Sequence, residues 1–306
     1  IESSYGVLIA GRNEELVIGQ LIDSIKKQNY NQDKIKIFVV ADNCSPNDKT
    51  AQICREKGAV VFERHNKEKV GKGHALNFLL KNIAKAYPDY NPDGWFVFDA
   101  DNILDVNYIR EMNKAFNSGS GDVVTSYRAP KNYGGGICAM GASVGFVREC
   151  RFVHTPRTLL NISTHISGTG FLASSKILNP KNGWSYTCIT EDLEFSLDNI
   201  KMGNKIIYCD DAIFYDEQPT TWKQTYRQRM RWQKGAYLVF SAFSLSYIWR
   251  MVKSFSFTFY DNLMYFSPIT TVSTGWAILN GFVALIRSFI TLHTGAPVVP
   301  EILSLL

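Results

Sequence analysis

The chain has 306 residues, of which 45% are hydrophobic and 20% are charged, and its formal net charge is 33 − 28 = +5. This apolar content excludes a disordered chain, and no collagen, coiled-coil or low-complexity period occurs. The charge is modest for this length, so nucleic acid is not an expected partner. Six cysteines lie far apart without a CxxC pair, which favours reduced thiols in a cytosolic setting over a disulfide scaffold.

Short apolar runs alternate with amphipathic stretches through the first hundred residues. They predict strands over 5–10, 35–40, 59–62 and 95–98, and helices over 14–27, 48–57 and 72–86. Strand, helix and strand at short spacing predict an α/β fold with a mostly parallel, Rossmann-like sheet. Because ligands of such sheets bind at the carboxyl ends of the strands, we expect the functional residues just after each apolar run.

The second half of the chain is less regular. Its pattern predicts strands over 122–126 and 205–208 and helices over 142–160 and 189–200. Thr190 is placed to cap the last of these helices, and Glu191 and Asp192 suit the positive end of its dipole.

The composition changes beyond Trp222. Residues 222–234 carry five cations and no acid, and residues 262–286 form a run of 25 without a charge. This run is long enough to cross a bilayer, although a buried helical hairpin is the alternative. Upstream cations would put the preceding domain on the cytoplasmic side of the cell membrane, and the aromatic residues between suit amphipathic interface helices.

These changes predict two parts of the chain. Residues 1–235 would form a cytosolic catalytic domain, and residues 236–306 would form interface helices and a transmembrane helix over 262–286. The chain starts at Ile1 and stops after a hydrophobic tail. We therefore expect it to be a piece of a longer protein, cut at both ends.

Polar residues follow the predicted strands where ligands are expected. Asp42 follows the second strand and can accept hydrogen bonds from a nucleobase or a ribose, although an Asp-Asn turn is the better explanation of this residue taken alone. The sequence Gly71-Lys72-Gly73 opens the third helix, where backbone amides and a lysine can support a phosphate. A lone GKG is weak, since it is neither a P-loop nor a dinucleotide fingerprint.

Two acidic motifs complete the set. Asp99 and Asp101 directly follow the fourth strand, and paired carboxylates at this place suit Mg²⁺ or Mn²⁺ beside substrate phosphates. An isolated DxD is also common as a solvated turn. Glu191 and Asp192 follow Thr190 at a helix start, where a capped helix end is a sufficient explanation that does not exclude catalysis.

A further motif lies on the predicted C-terminal helix. Gln228, Arg231 and Trp232 stand at i, i+3 and i+4, hence on one face. Arginine can bind a phosphate, glutamine a hydroxyl, and an indole can form the wall of a sugar site. A basic amphipathic helix on anionic lipid is the alternative, and both can hold on different faces.

Together these motifs resemble the family 2 glycosyltransferases, and within them the membrane-embedded cellulose, chitin and hyaluronan synthases. The matching segments come in the family's order between residues 5 and 235: IAGRNE (9–14), VVADNCS (39–45), GKGHALN (71–77), DAD (99–101), SGTGFL (167–172), TED (190–192) and QRMRW (228–232). Ala10 departs from the pattern, since many relatives have proline there.

The resemblance implies a GT-A fold that binds a UDP-sugar together with Mg²⁺ or Mn²⁺. It implies one general base, Asp192, which would take the proton of the acceptor hydroxyl. The other residues it implies are Asn13, Glu14 and Asp42 for the nucleoside, Lys72 for the diphosphate, Asp99 and Asp101 for the sugar and the metal, Gln228, Arg231 and Trp232 for the diphosphate and the acceptor end, and Gly168, Thr169, Gly170 and Glu191 for the acceptor.

The implied reaction is an inverting transfer to a growing polysaccharide, which makes a β-linked polymer from UDP-glucose or UDP-N-acetylglucosamine. Further membrane or export subunits would be possible partners. Two alternatives remain open: transfer of a single sugar to a lipid or protein, and a catalytically inactive membrane scaffold. A Rossmann dehydrogenase is disfavoured, because no GxGxxG follows the first strand.

Overall fold

A computed structural model describes residues 1–294 of the chain. Its strands are β1 (Tyr5–Gly11), β2 (Ile35–Asp42), β3 (Val60–Arg64), β4 (Gly94–Asp99), β5 (Ile103–Leu104), β6 (Val123–Pro130), β7 (Phe171–Ser174) and β8 (Ile206–Asp216). Its α-helices are α1 (Ile18–Lys26), α2 (Thr50–Glu56), α3 (Lys72–Ala86), α4 (Tyr108–Asn117), α5 (Ile137–Glu149), α6 (Thr155–Leu159), α7 (Glu191–Met202), α8 (Trp222–Ser254), α9 (Phe257–Phe266) and α10 (Pro268–Thr294).

The strands form one eight-stranded sheet in the order β3-β2-β1-β4-β7-β6-β8-β5. The pairs β3-β2, β2-β1, β1-β4 and β6-β8 are parallel, whereas β7 runs antiparallel to both of its neighbours and β5 antiparallel to β8. The carboxyl ends of six strands therefore lie along the same edge of the sheet. The predicted α/β fold with a mostly parallel sheet is confirmed.

Helices cover both faces of the sheet, which explains why its central strands are apolar without interruption. On β4, Phe96 and Phe98 face the cluster that contains α1, α2 and α4, whereas Trp95 and Val97 face the cluster that contains α3, α7 and α8. All four side chains have no exposed surface. Strands buried on both faces read as continuous hydrophobic runs, which made β1, β2 and β4 predictable.

The predicted helix over 142–160 is two α-helices joined by a π turn. α5 begins earlier, at Ile137, and the π turn occupies Cys150–His154 before α6. Pro156 has no N–H for the preceding turn of an α-helix, and the Thr155 hydroxyl donates to the Cys150 carbonyl oxygen at 2.9 Å. The wider turn thus accommodates a proline that a regular helix would exclude.

Three elements were not predicted, and one helix starts late. The pattern missed α4, β5 and β7, and α1 begins at Ile18 instead of residue 14. Glu14 lies in a turn, where its N–H donates to the Thr50 hydroxyl at 2.8 Å. This side-chain hydrogen bond takes the donor that a helix start would leave unsatisfied.

The C-terminal helices differ from their predicted bounds. α8 continues through residue 235 and packs on the domain, where the Tyr247 hydroxyl donates to the Leu197 carbonyl oxygen at 2.8 Å. The uncharged run starts on α9 with Asn262, which is fully buried and donates to the Ser163 carbonyl oxygen. The run over 262–286 is therefore not one helix. Among the described residues, one helix is long and apolar enough to span a membrane: α10, over the unburied window Val272–Phe289.

Candidate active site

The polar residues after the strands meet at one edge of the sheet. Asp42 ends β2, Asp99 ends β4 and Asp216 ends β8. The first two strands flank β1, so the backbones of Asp42 and Asp99 lie two strand spacings apart, about 10 Å. The sequence located this edge correctly, and Asp42 and Asp99 occupy different regions along it.

Lys72 joins three of the predicted motifs. Its Nζ donates to Asp99 Oδ1 and, at 2.8 Å, to the Gly168 carbonyl oxygen. Burial alone would lower the pKa of this amine, but the carboxylates of Asp99 and Glu191 outweigh it and raise the pKa of Lys72. The lysine therefore stays charged and holds the end of β4 against the loop that contains Gly168.

Asp101 lies beside other acids. Burial, together with the carboxylates of Asp216 and Asp99, raises the pKa of Asp101 to about 7. Like charges held out of water in this way are costly unless a cation or a proton compensates them. The oxygen-rich pair Asp99 and Asp101 therefore fits a hard divalent cation such as Mg²⁺ or Mn²⁺.

A buried network beneath Asp101 was not predicted. Asn102 is fully buried and donates to Asp216 Oδ1 at 2.8 Å, and its Oδ1 accepts from the Asp99 N–H and the Thr169 hydroxyl. Asp216 Oδ2 in turn accepts from Arg128 Nε at 2.9 Å and Nη2 at 2.5 Å. The only sequence signal was an asparagine directly after the DAD motif, since Arg128 and Asp216 lie far away in the chain.

The TED motif opens α7 next to this network. Burial raises the pKa of Asp192, and it also raises the pKa of Glu191 against the opposing effect of Lys72. A Cβ atom on Gly168 would lie 3.4 Å from Asp192 Oδ2, so the glycine lets the backbone approach this carboxylate. The predicted cap is not formed, because the buried Thr190 hydroxyl makes no hydrogen bond to the helix start.

The loop with Gly168, Thr169 and Gly170 is tightly packed. Gly168 and Gly170 have φ values of 84° and 66°, a region that favours glycine, and a Cβ on Gly170 would clash with the Phe214 ring. The Thr169 side chain is buried, and its hydroxyl bonds within the network. Gly168 therefore approaches Asp192, whereas Thr169 and Gly170 pack into the network and against Phe214.

Helix α8 crosses the start of α7 at a glycine. A Cβ on Gly235 would lie 2.4 Å from Thr190 Cγ2, so the two helices touch there. Gln228 and Arg231 stand seven and four positions before Gly235, hence on the same face of α8. Gln228 and Arg231 therefore lie on the face of α8 that contacts Thr190. The Arg231 side chain is exposed, and no described contact joins it to Asp101 or Asp192.

Trp232 connects this helix to the buried network. Its ring meets that of Phe146 edge-on, with centroids 6.1 Å apart, and the Arg128 guanidinium lies 4.0 Å from the centroid of the same Phe146 ring. Because Arg128 pairs with Asp216, the contacts run from Trp232 to the residues beneath Asp101. The QRMRW and DAD motifs are thus physically linked.

The residues predicted for the nucleoside lie on the other side of β1. Asn13 has φ of 58°, and its Oδ1 accepts from the Ser45 N–H at 2.7 Å. Burial and the carboxylate of Asp99 raise the pKa of Glu14, which follows the end of β1. Asp42 is buried and paired with Arg64, whose Nη1 lies 2.5 Å from Asp42 Oδ1. No local sequence pattern predicted the role of Arg64.

A second cluster of possible metal ligands, Glu149, His154 and His165, has its ligand atoms within 4.8 Å of one another. Arg157 Nη1 lies 3.0 Å from His165 Nδ1, and an arginine can only donate, so His165 carries its proton on Nε2 and donates to Glu149 at 2.7 Å. A metal on Nε2 would leave Nδ1 facing a donor, whereas metal-bound histidines need an acceptor there. This cluster is a hydrogen-bond network.

The structure is an α/β fold of the GT-A type, with polar residues along one edge of its sheet. Residues 3–235 match the model of the glycosyltransferase like family 2, and the chain belongs to this family. A probable glycosyltransferase of Bacillus subtilis, YdaM, is 28% identical over 238 residues, which are 75% of this chain and 54% of that protein.

A second relative is the beta-monoglucosyldiacylglycerol synthase of Trichormus variabilis. It is 26% identical over 240 residues, which are 76% of this chain and 48% of that protein. The chain thus spans about half the length of the curated relatives it matches.

Solved structures share the fold. One is the mannosyltransferase PcManGT from Pyrobaculum calidifontis in complex with GDP-Man and Mn²⁺, which has a TM-score of 0.65 at 15% identity. The superposition covers 95% of this chain and 81% of the PcManGT chain. Another is S. aureus TarS 1-349 in complex with UDP-GlcNAc, which has a TM-score of 0.51 at 15% identity. That superposition covers 86% of this chain and 79% of the TarS chain. The predicted GT-A fold is confirmed.

Proposed function

We propose that this protein transfers a single sugar from a UDP-sugar to the hydroxyl group of a membrane lipid, with inversion at the anomeric carbon. The observation that carries the proposal is the convergence at Lys72, which bonds both Asp99 and the loop whose Gly168 faces Asp192. In our proposal a cation, a metal-binding pair and a base surround one space, as displacement of a diphosphate by a hydroxyl requires.

Each group then has a distinct role. Asp99 and Asp101 would hold Mg²⁺ or Mn²⁺, which supplies positive charge to the leaving diphosphate. Lys72 and Arg231 add charge to the same group, and Asn13, Glu14 and Asp42 bind the nucleoside. Asp192 accepts the proton of the acceptor hydroxyl while oxygen attacks the anomeric carbon. The transfer takes one step, so an α-linked donor gives a β-linked product.

A lipid acceptor has two supports. One relative is named a beta-monoglucosyldiacylglycerol synthase, and α10 offers an unburied apolar window that can enter a bilayer. The protein would then act on the cytoplasmic face of the cell membrane, where Trp232 and Gly168 line the approach to Asp192. Glu191 and the loop with Thr169 and Gly170 shape that approach.

Polymer synthesis is the second candidate. The order of the TED and QRMRW motifs favours it, because the same order occurs in the processive synthases that the sequence resembles. Export of a polymer would require further membrane subunits, and transfer of one sugar would not. Product length separates the two candidates.

The experiment uses membranes that contain the full chain. They are incubated with radiolabelled UDP-glucose or UDP-N-acetylglucosamine and with Mg²⁺ or Mn²⁺, and products are separated by thin-layer chromatography and gel filtration. We expect a metal-dependent, organic-soluble product with one sugar that a β-glycosidase releases. A high-molecular-mass product would favour polymer synthesis, and the absence of UDP release with any donor would refute both candidates.

A further inference from the structure

Two partly buried side chains, those of Arg128 and Glu149, form hydrogen bonds with Ser167. The Ser167 carbonyl oxygen accepts from Arg128 Nη1 at 3.1 Å, and its hydroxyl donates to Glu149 Oε1 at 3.1 Å. The next residue is Gly168, which approaches Asp192. The place of Ser167 therefore determines where this backbone lies relative to Asp192.

The loop needs such contacts because it contains two glycines with positive φ. Glycine populates several backbone regions at little cost, so Gly168 and Gly170 do not by themselves select one conformation. Hydrogen bonds from the flanking side chains can select it. Lys72 donates to the Gly168 carbonyl oxygen, and in the proposed mechanism it also binds the diphosphate. Glu149, at the end of α5, accepts from the Ser167 hydroxyl of the same loop.

Glu149 is itself connected to helices α6 and α9. It accepts from His165 Nε2 at 2.7 Å, and Arg157 lies 3.0 Å from the opposite ring nitrogen of His165. Arg157 Nε in turn pairs with Asp261 Oδ2 of α9 at 2.6 Å. Polar contacts among Asp261, Arg157, His165 and Glu149 therefore run from α9 to Ser167.

The Glu149 side chain carries a negative charge in the folded protein. Burial alone would raise the pKa of its carboxyl group, but the interactions that oppose it, of which the hydrogen bond from His165 is the largest, outweigh burial and lower the pKa of Glu149 to about 2. Glu149 is therefore ionised at neutral pH. A buried carboxylate binds donors strongly, and the Ser167 hydroxyl is one of them.

We propose that Glu149 is a positioning residue for sugar transfer. It fixes Ser167 so that Gly168 stays against Asp192 and the acceptor hydroxyl meets this base in one orientation. The inference rests on the proposed function, in which Asp192 is the base. It assigns to Glu149 an effect on the acceptor step that leaves donor binding unchanged.

The test separates transfer from donor hydrolysis. Ser167→Ala removes the hydroxyl that Glu149 binds, and we expect kcat for transfer to the lipid acceptor to fall about five- to tenfold, as the loss of one hydrogen bond implies. KM for the UDP-sugar and the rate of UDP release without acceptor should stay within about twofold of the wild type. Glu149→Gln, which keeps size but removes charge, should lower transfer at least as much.

Ser143→Ala is the matched control, because Ser143 lies on the same helix and its hydroxyl donates to the Ala139 carbonyl oxygen within that helix. It should leave transfer unchanged. The inference is overturned if Ser167→Ala transfers at the wild-type rate, or if its donor KM and hydrolysis change as much as its transfer. If Glu149→Gln does not fold, Ser167→Ala alone decides. A wild-type protein that only hydrolyses its donor would instead refute the proposed function.

Discussion

Lys72 determines the charge balance around the candidate base. Its ammonium group bonds Asp99, and its charge lowers the pKa values of Glu191 and Asp192, which burial raises. A base must be deprotonated to accept a proton, and its strength increases with its pKa. Burial thus makes Asp192 a stronger base than an exposed aspartate, while the charge of Lys72 opposes this rise in its pKa.

The pH dependence of transfer should report this balance. We expect the acid limb of kcat/KM to lie above the ordinary aspartate pKa of 3.8, with activity increasing as pH rises and Asp192 ionises. Lys72→Met removes a charge that lowers this pKa, so the limb should move to still higher pH and the maximal rate should fall. Lys85→Met, on the exposed side of α3, is the control and should leave the limb in place. An unmoved limb in Lys72→Met would contradict this account.

The sequence alone predicts which residues form the candidate site better than it predicts which residues they contact. Asp99, Asp101 and Asp192 were recognisable because they follow a buried strand or open a helix in a known motif order. Arg128, Asp216 and Arg64 were not, because each contacts its partner only after distant parts of the chain fold together. Glu149 gave no local signal either, since its role depends on Ser167 and His165.

Among the elements, α8 and α7 depend on one close contact. Gly235 of α8 lies against Thr190, which directly precedes Glu191 and Asp192. The same face of α8 carries Gln228 and Arg231 one to two turns earlier. The spacing between these helices therefore determines how far Arg231 lies from the TED motif.

Gly235→Ala should widen that spacing. The added Cβ would meet Thr190 Cγ2 at 2.4 Å, an overpacked contact that costs about 1–3 kcal/mol of stability. We expect transfer to fall about tenfold or more in the membrane assay, because Arg231 would move away from the diphosphate that it binds in the proposed mechanism. Gly141→Ala adds the same methyl group on α5 in open space and should leave transfer unchanged. A fully active Gly235→Ala would show that this contact does not position α8.

The π turn after α5 buries a neutral histidine. Burial and the neighbouring His165 lower the pKa of His154 from 6.5 to about 3. The unfolded chain therefore binds a proton below pH 6.5 that the folded chain does not bind. This group stabilises the fold at neutral pH, and its contribution is lost as pH falls from 6.5 towards 3.

Stability should accordingly decrease on acidification. The contribution of His154 decreases by about 1.4 kcal/mol per pH unit below 6.5, and Glu149 adds a similar slope below its ordinary pKa of 4.5. His154→Gln can still bond to the Thr164 hydroxyl, so it should flatten the dependence between pH 6.5 and 4.5. Denaturant unfolding at pH 7 and pH 5 measures this, and an equal slope in variant and wild type would exclude the assignment.

The sequence predicts strands most reliably where both faces of the strand are buried. Strands β1, β2 and β4 are covered on both faces, so their apolar runs were unambiguous. β7 has only four residues and joins the sheet in the antiparallel direction, which no local pattern encodes. α4 has a polar outer face and follows the DAD loop, where the expected order of strands and helices is interrupted.

At the scale of the whole molecule, the domain that contains the sheet and helix α10 have different surroundings. α8 and α9 pack on the domain, whereas the apolar window of α10 is unburied among the described residues. Exposed apolar surface of this length is costly in water. We therefore expect a bilayer to cover α10 and to keep the domain close to the membrane surface.

A charge within α10 should release the protein from membranes. Leu279→Arg in the middle of the window adds about 2.5–3.5 kcal/mol to insertion, so the fraction of protein that stays in the membrane pellet after alkaline extraction should fall. Ser254→Arg adds the same charge at the end of α8, outside the window, and should remain in the pellet. Equal extraction of the two variants would argue against insertion of α10.

The convergence of Lys72, Asp99 and Asp192 on one transfer reaction is tested most directly at Asp192. Asp192→Asn keeps the size of the side chain but removes the proton acceptor, and Asp198→Asn changes a carboxylate of the same helix that binds Tyr186. Transfer and UDP affinity are measured for both variants in the same membranes. We expect Asp192→Asn to bind UDP within about threefold of the wild type and to lose transfer by about 10²- to 10⁴-fold, while Asp198→Asn stays active. Wild-type transfer by Asp192→Asn would contradict the account.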